Sequence, residues 1–325
     1  MYKVMNREYW DDLVLEHGGH PLQLWAWGEI KEKNGAWTAT RISVQDGDKI
    51  IGGAQILTRK LPPPFGKMHY IPRGPFCKAQ YREKVLSELA QWGKEQKGVV
   101  LKIEPGWLNH KNILHMKPWK MSSNRILLAK TMAVDLTQSE DDIFNNMNCK
   151  VRQDIRRSTR EGVTMRLATE KDLHTIMKIY HETAKRAGFN LHSDEYYADI
   201  FHKMGEYDRL YIAEREGRIL SFTWVVATPE VAFELYGGMN DEGRKHRANY
   251  SLKWLAMRAE KERGTKLYDM NGLLQGGVSD FKRGFAPNET DWVGTYDLPL
   301  SPLYVLWEKV LPTAKKILHR IQRRK

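Results

Sequence analysis

The sequence predicts an α/β fold in two tandem domains of one design. Three observations predict it. A chain of 325 residues that is 41% hydrophobic can bury a full core in each of two domains. Each half carries a hairpin on a charged glycine turn, Asp46-Gly47-Asp48 in the first and Arg215-Glu216-Gly217-Arg218 in the second. After each hairpin come a strand, a helix and a strand, and the two copies lie roughly 170 residues apart, the kind of fixed offset that marks duplication.

The elements follow in order. Residues 7–20 read as a short helix with Trp10, Leu13, Val14 and Leu15 on its apolar side. Trp25 and Trp27 then start a second helix, either facing a core or forming a stacking platform; Lys31 behind them is less well explained by packing. Alternation over 38–44 and 50–57 gives the first hairpin. Pro62-Pro63-Pro64 breaks the pattern, since proline suits neither a strand nor a helix interior. Residues 68–75 resume as a strand and bend at Ile71-Pro72-Arg73-Gly74-Pro75, where two prolines and a glycine hold Arg73 rigidly. An amphipathic helix over 81–97 leads to a buried strand over 98–105 with Glu104 at its exit.

Residues 125–136 read as a strand, and the boundary falls there, giving a first domain over 1–134 and a second over 135–290. A single polar helix is expected over 137–160, with Arg152, Arg156, Arg157 and Arg160 near its end. Such a run is either a solvated face or a nucleic-acid contact. A strand over 164–168 and a helix over 170–187 precede His192-Ser193, which leads through Tyr196 and Tyr197 into another helix. The second hairpin occupies 209–227. An apolar strand then ends at Tyr236-Gly237-Gly238, and a basic loop, Arg244-Lys245-His246-Arg247, opens a helix that Gly264 stops. A short strand over 266–270 and the glycine-rich segment 276–285 close the domain. The order β-β-β-α-β behind a pair of helices describes an N-acetyltransferase-like fold in each half. Residues 291–325 add a strand and an apolar stripe, Leu303, Trp307, Val310, Leu311, Ala314, Ile317, Leu318 and Ile321, whose other face is basic. That helix either packs on the first domain or lies on an anionic bilayer.

A net charge of +12 points to polyanionic partners, nucleic acid, phosphorylated substrate or an anionic membrane face, unless it is only a soluble basic surface. Cys77 and Cys149 lie far apart without metal spacing, which fits a reduced, cytoplasmic compartment. The first residues carry no apolar core, so no signal peptide is expected. No apolar run approaches a membrane span. The sequence holds no Gly-x-x-x-x-Gly-Lys-Ser/Thr loop, no zinc-spaced cluster and no Gly-x-Ser-x-Gly elbow, so no metal and no cofactor are expected. A CoA-type donor needs a glycine turn for its pyrophosphate; Arg244-Lys245-His246-Arg247-Ala248-Asn249 has none. The loop still suits an anionic donor at a helix start. In the segment after it, Lys282 stands between Phe281 and Phe285. It is either a fixed ammonium for developing negative charge or a lysine paired with Asp280 or Asp269. Glu104 is either a proton acceptor or a structural carboxylate.

Several stretches together resemble the FemABX (Fem/MurM-like) peptidoglycan bridge aminoacyltransferases. They are residues 23–31, Tyr70-Ile71-Pro72-Arg73-Gly74-Pro75, Lys150-Val151-Arg152-Gln153-Asp154-Ile155-Arg156, Tyr236-Gly237-Gly238, Asn249-Tyr250 with Trp254, Lys266-Leu267-Tyr268-Asp269, residues 277–285 and Tyr296-Asp297-Leu298-Pro299-Leu300. The resemblance spans nearly the whole chain. It implies aminoacyl-tRNA as donor and the stem peptide of a lipid-linked or UDP-linked peptidoglycan precursor as acceptor. It implies Lys31 at a precursor phosphate, Tyr196 and Tyr236 at the acceptor, and Lys282 at the charge of the reaction. His192 stands where many relatives carry arginine. Some relatives insert a long helical hairpin in the second domain; no heptad run is present here, so the compact form is expected. A monomer is expected, working in the cytoplasm with peripheral contact to the inner face of the membrane. Two alternatives remain at this point, an acyl-CoA-dependent N-acyltransferase and a non-enzymatic nucleic-acid-binding protein. The candidate site comprises Lys282 and Glu104 for catalysis. Lys31, Arg73, His192, Tyr196, Tyr236 and Phe281 are the candidates for substrate, and Arg152, Arg156, Arg157, Arg244 and Arg247 for tRNA.

Overall fold

The structure, a computed structural model, describes residues 1–109, 117–122, 124–273, 276–310 and 312. It has two compact units, Met1–Ala129 with the chain from Asp291 on, and Lys130–Thr290. The division precedes the expected 134, because Ala133–Asp135 already pairs with Leu267–Asp269 in the second unit's sheet.

In the first unit the strands run in the order Tyr2–Val4, Thr38–Asp46, Lys49–Lys60, Lys67–Arg73, Val100–Pro105, Tyr296–Pro299 and Lys120–Met121. Lys67–Arg73 and Val100–Pro105 run parallel and stay paired over six residues, from Met68 opposite Val100 to Arg73 opposite Pro105. The helix Arg82–Glu95 makes the crossover a parallel pair requires. It buries Val85, Leu86, Leu89 and Trp92 against Ile42, Ile56, Leu101 and Ile103. The strand Tyr296–Pro299 joins the same sheet, antiparallel to Val100–Pro105. There Lys102 Nζ meets Asp297 Oδ1 at 2.5 Å, with both groups buried. Trp307 packs on Leu57, Met68, Tyr70 and Val100. The second half of the expected C-terminal helix, with Lys315, Lys316, Arg320, Arg323, Arg324 and Lys325, lies outside the described residues. No described helix is long and apolar enough to cross a membrane.

The second unit repeats the pattern. Its sheet runs Thr164–Leu167, Asp208–Arg215, Arg218–Ala227, Val231–Met239, Leu267–Asp269, Ala133–Asp135. Again one pair is parallel, Val231–Met239 with Leu267–Asp269, bridged by the helix Ala248–Glu262. Leu252, Ala256 and Met257 of that helix pack on Tyr211, Val225, Ala232 and Tyr268. The units differ at this parallel seam. Here it holds for three residues, Val231 to Phe233, and then parts.

Local departures from expectation have local causes. The helix expected over 137–160 is two, Glu140–Asn145 and Cys149–Arg160. Asn148 caps the second by accepting from Lys150 N at 2.9 Å, so a new helix starts there. The strand expected over 125–136 is only Lys130–Thr131 and Ala133–Asp135. The glycine-rich segment after Gly276 forms a helix, Gly277–Arg283. Gly276, with φ 109°, makes the turn into it, a conformation glycine adopts without strain.

Candidate active site

Beyond the point where the second unit's seam parts lies a cavity of about 680 Å³. Glu234, Leu235, Tyr236, Gly237, Gly238 and Met239 line one wall. In a regular strand alternate residues would face away. Here the register shifts opposite Trp224 and Val225, so that Leu235 is the extra residue of a bulge and consecutive residues line the cavity. Asn249, Tyr250 and Lys253, in the first turns of the helix Ala248–Glu262, form a second wall. Met270, Asn271, Gly277, Phe281 and Lys282 form a third, and Arg186, Arg244 and Arg247 also line it. Arg247 sits at the helix N-cap with φ 57°. The helix start and two arginines thus line one space, which suits an anion.

Lys282 stands in the last turn of the helix Gly277–Arg283. Its ammonium donates to the carbonyl oxygens of Asn271 and Gly272, the latter at 3.0 Å. An ammonium has three donors, so one remains that no described residue takes. Neither acid once considered as its partner holds it by a hydrogen bond: Asp280 pairs with Arg283 at 3.0 Å, and Asp269 accepts from Thr131 and from Asn271 N. Burial pulls the Lys282 ammonium down from 10.5 to about 8. Phe281 packs edge-on to Tyr250 at 4.9 Å, which fixes the aromatic wall beside it.

Beside Lys282 is a buried trio the sequence analysis did not single out. Glu234 Oε1 accepts from the Lys253 ammonium and, at 2.8 Å, from the Tyr268 hydroxyl. Lys253 lies over the rings of Phe281, Phe285 and Tyr268 at 5.6, 5.9 and 6.0 Å. The signal was present. Glu234 interrupts the apolar run Val231-Ala232-Phe233, and Lys253 stands between Leu252 and Trp254 on a helix that must bury a face. A charge inside an apolar run is buried only if paired.

Tyr236 contacts an aromatic cluster. Its hydroxyl donates to Tyr196 OH at 3.3 Å. Tyr180, Tyr197 and Trp224 surround the pair. Burial holds Tyr196 up at about 12, and burial with the neighbouring Tyr196 raises Tyr236 well above its ordinary value. Both are therefore neutral phenols, with hydroxyls able to donate hydrogen bonds. The exposed His192 ring lies 4.2 Å from that of Tyr196.

The arginines divide by what already holds them. Arg244 is exposed with one pairing, to Asp241 at 3.4 Å, while Arg247 reaches the buried Asp154 at 3.3 Å. Arg156 lies over Phe144, and Arg157 pairs with Glu161 at 2.7 Å. Arg152, expected at a phosphate, instead donates to the carbonyls of Asn145 and Met147 and ties down the turn between two helices.

Three further expected residues belong to the first unit. Lys31 lies 4.6 Å from the centre of the Trp27 ring, and burial lowers it to about 8. Arg73, with φ 51°, is only 3% exposed; its guanidinium faces the Trp292 ring and donates to Leu128 O at 3.4 Å. It braces the interior of this unit and presents no surface to a ligand. Both oxygens of Glu104, the expected proton acceptor, are already occupied. Its Oε1 accepts from Ile126 N and Thr295 Oγ1, and its Oε2 from Tyr70 OH and Leu127 N. Four bonds fill the four lone-pair positions of a carboxylate. Among the described residues no group of three or more His, Cys, Asp and Glu could hold a metal.

The model of the FemAB family matches this chain over residues 7–134, 129–218 and 214–311. The chain is 21% identical to the lipid II:glycine glycyltransferase of Staphylococcus haemolyticus, over 99% of this chain and 98% of that one. That alignment spans 412 positions against 325 residues, so the relative carries stretches this compact chain lacks. The crystal structure of FemX superposes with a TM-score of 0.83 at 20% identity, covering 95% of this chain and 100% of that one. A tandem GNAT protein from the clavulanic acid biosynthesis pathway superposes with a TM-score of 0.52 at 10% identity, over 93% and 99% of the two chains. The fold is thus a pair of GNAT-like domains, and the cavity lies in the second.

Proposed function

The chain belongs to the FemAB family, and from that premise we propose that it is an aminoacyltransferase of peptidoglycan bridge formation. It moves an amino acid from aminoacyl-tRNA to the stem-peptide amine of a lipid-linked or nucleotide-linked precursor. The observation that carries this reading is the ammonium of Lys282, held by two backbone carbonyls with one donor left for the cavity. The acceptor amine attacks the ester carbonyl that joins the amino acid to the tRNA ribose, an oxyanion forms, and the ribose hydroxyl leaves. Lys282 stabilises the oxyanion, an effect of about 3 kcal/mol in such sites. The ester is already activated, so the step needs neither ATP nor metal. The names of the relatives support the acceptor class. Arg244 and Arg247 at the helix start support an anionic donor. Work on a lipid-linked acceptor would bring the basic chain to the inner face of the membrane.

The test gives the purified protein a mixed pool of charged tRNAs with both precursors and weighs the products. One precursor should gain the mass of an aminoacyl residue, and only when the tRNA is charged. Transfer from an acyl-CoA, with none from charged tRNA, would defeat the proposal.

A further inference from the structure

An amine reaches this site as an ammonium and must lose a proton before it attacks. The cavity is strongly cationic, with Arg186, Arg244, Arg247, Lys253 and Lys282 in its lining, and Glu234 is the one carboxylate there among the described residues. Glu104 is saturated with hydrogen bonds in the first unit. Glu234 is built differently. It is only 8% exposed, and both hydrogen bonds that described residues make to it, from Lys253 and from Tyr268, fall on Oε1. No described residue donates to Oε2, although the side chain lines the cavity. A buried carboxylate with one oxygen fixed by two donors has its other oxygen oriented and unspent.

We propose that Glu234 binds the acceptor's ammonium through Oε2 and takes its proton, with Lys253 and Tyr268 as positioning residues. The inference rests on the aminoacyl transfer proposed above and adds the group that activates the nucleophile. The steps balance. One N–H proton passes from the ammonium to Oε2, leaving a free amine. The amine nitrogen forms the new C–N bond as the ester C–O bond breaks. Its second proton goes to the departing ribose oxygen, and Glu234 releases the first proton to solvent after the product leaves.

Glu234→Gln alone would leave Lys253 buried without its counter-charge, which destabilises a fold. The test therefore uses Glu234→Gln/Lys253→Met, in which neither charge is buried, alongside the wild type, with melting temperatures for both. Each protein receives charged tRNA with either the precursor or hydroxylamine, a nucleophile that is unprotonated near neutral pH. The double variant should lose about a hundredfold or more of the transfer to the precursor. It should retain hydroxamate formation, above the uncatalysed rate, within a few-fold of the wild type. Transfer to the precursor at near wild-type rate in the double variant overturns the role of Glu234 alone. Equal loss with both nucleophiles overturns it as well, since the defect would then lie in the donor or the fold. No transfer by the wild type to either nucleophile sinks the aminoacyl-transfer reading and this inference with it.

Discussion

Lys282 Nζ lies 3.0 Å from the carbonyl oxygen of Gly272, and the same ammonium donates to the carbonyl of Asn271. The two carbonyls follow the strand Leu267–Asp269, so the sheet itself aims the lysine. An ammonium fixed in this way needs no reorganisation when an oxyanion forms beside it. Lys282→Met should lower kcat by roughly two to three orders of magnitude with little change in substrate affinity. Its melting temperature should stay within a few degrees of the wild type. A variant that melts normally and turns over at wild-type rate would remove Lys282 from the mechanism.

The same lysine sets a pH dependence. Burial lowers it from 10.5 to about 8. Stabilising an oxyanion requires the charged form, so turnover should fall as pH rises through about 8. In Lys282→Arg that alkaline limb should move upward, because a guanidinium stays charged. The stability effect has the opposite sign. Between about 8 and 10.5 the unfolded chain keeps a proton that the native lysine has lost, so the unfolded state binds more protons and stability rises with pH. Denaturant midpoints across that window should climb in the wild type relative to Lys282→Met. A parallel course in both proteins would show that Lys282 is not depressed.

Much of the fold was legible because its punctuation is local. The hairpins turn at Asp46-Gly47-Asp48 and at Glu216-Gly217, and the structure pairs Thr38–Asp46 with Lys49–Lys60 and Asp208–Arg215 with Arg218–Ala227. The parting of the second parallel seam was not legible, because the distance over which two strands remain paired depends on contacts remote in sequence. Glycines also misled. Gly276, Gly277 and Gly284 give no sign of a helix around Lys282, whereas Gly276 only makes the turn into one. Gly284 is required by packing there: a Cβ would stand 2.4 Å from Val151 Cγ2. Glu234 and Lys253 were passed over because each sits in an otherwise apolar run, and the partner that explains it lies 19 residues away. Glu104 shows the converse. A carboxylate at a strand exit looks the same in sequence whether its oxygens are open or filled.

Glu104→Gln tests that correction. The amide can accept on only one of its two atoms, so at least one part-buried backbone donor, at Ile126 or Leu127, loses its acceptor. An unsatisfied group costs up to about 1–3 kcal/mol when buried, and less where water reaches it. The variant should therefore melt several degrees lower. Its kcat per folded molecule should remain near that of the wild type. A normal melting temperature with a collapsed kcat would return Glu104 to the chemistry.

Arg244 and Arg152 make opposite predictions about the donor. Arg244 lines the cavity at the start of the helix Ala248–Glu262, and its pairing with the exposed Asp241, at 3.4 Å, is of a kind that contributes little. It can turn to a phosphate at small cost. Arg152 is already held by two backbone carbonyls, which would lose their donor if it swung away. Affinity for charged tRNA should fall linearly with salt on a log–log plot, at a slope of roughly −0.7 to −0.9 per phosphate contact. Arg244→Ala should make that slope shallower by nearly one contact and weaken all tRNAs alike. Arg152→Ala should leave the slope unchanged and lower the melting temperature instead. Titrations by fluorescence anisotropy from low to physiological salt separate the two. If Arg152→Ala flattens the slope as much as Arg244→Ala does, the turn-tying role of Arg152 is wrong; if binding is independent of salt, neither arginine meets a phosphate.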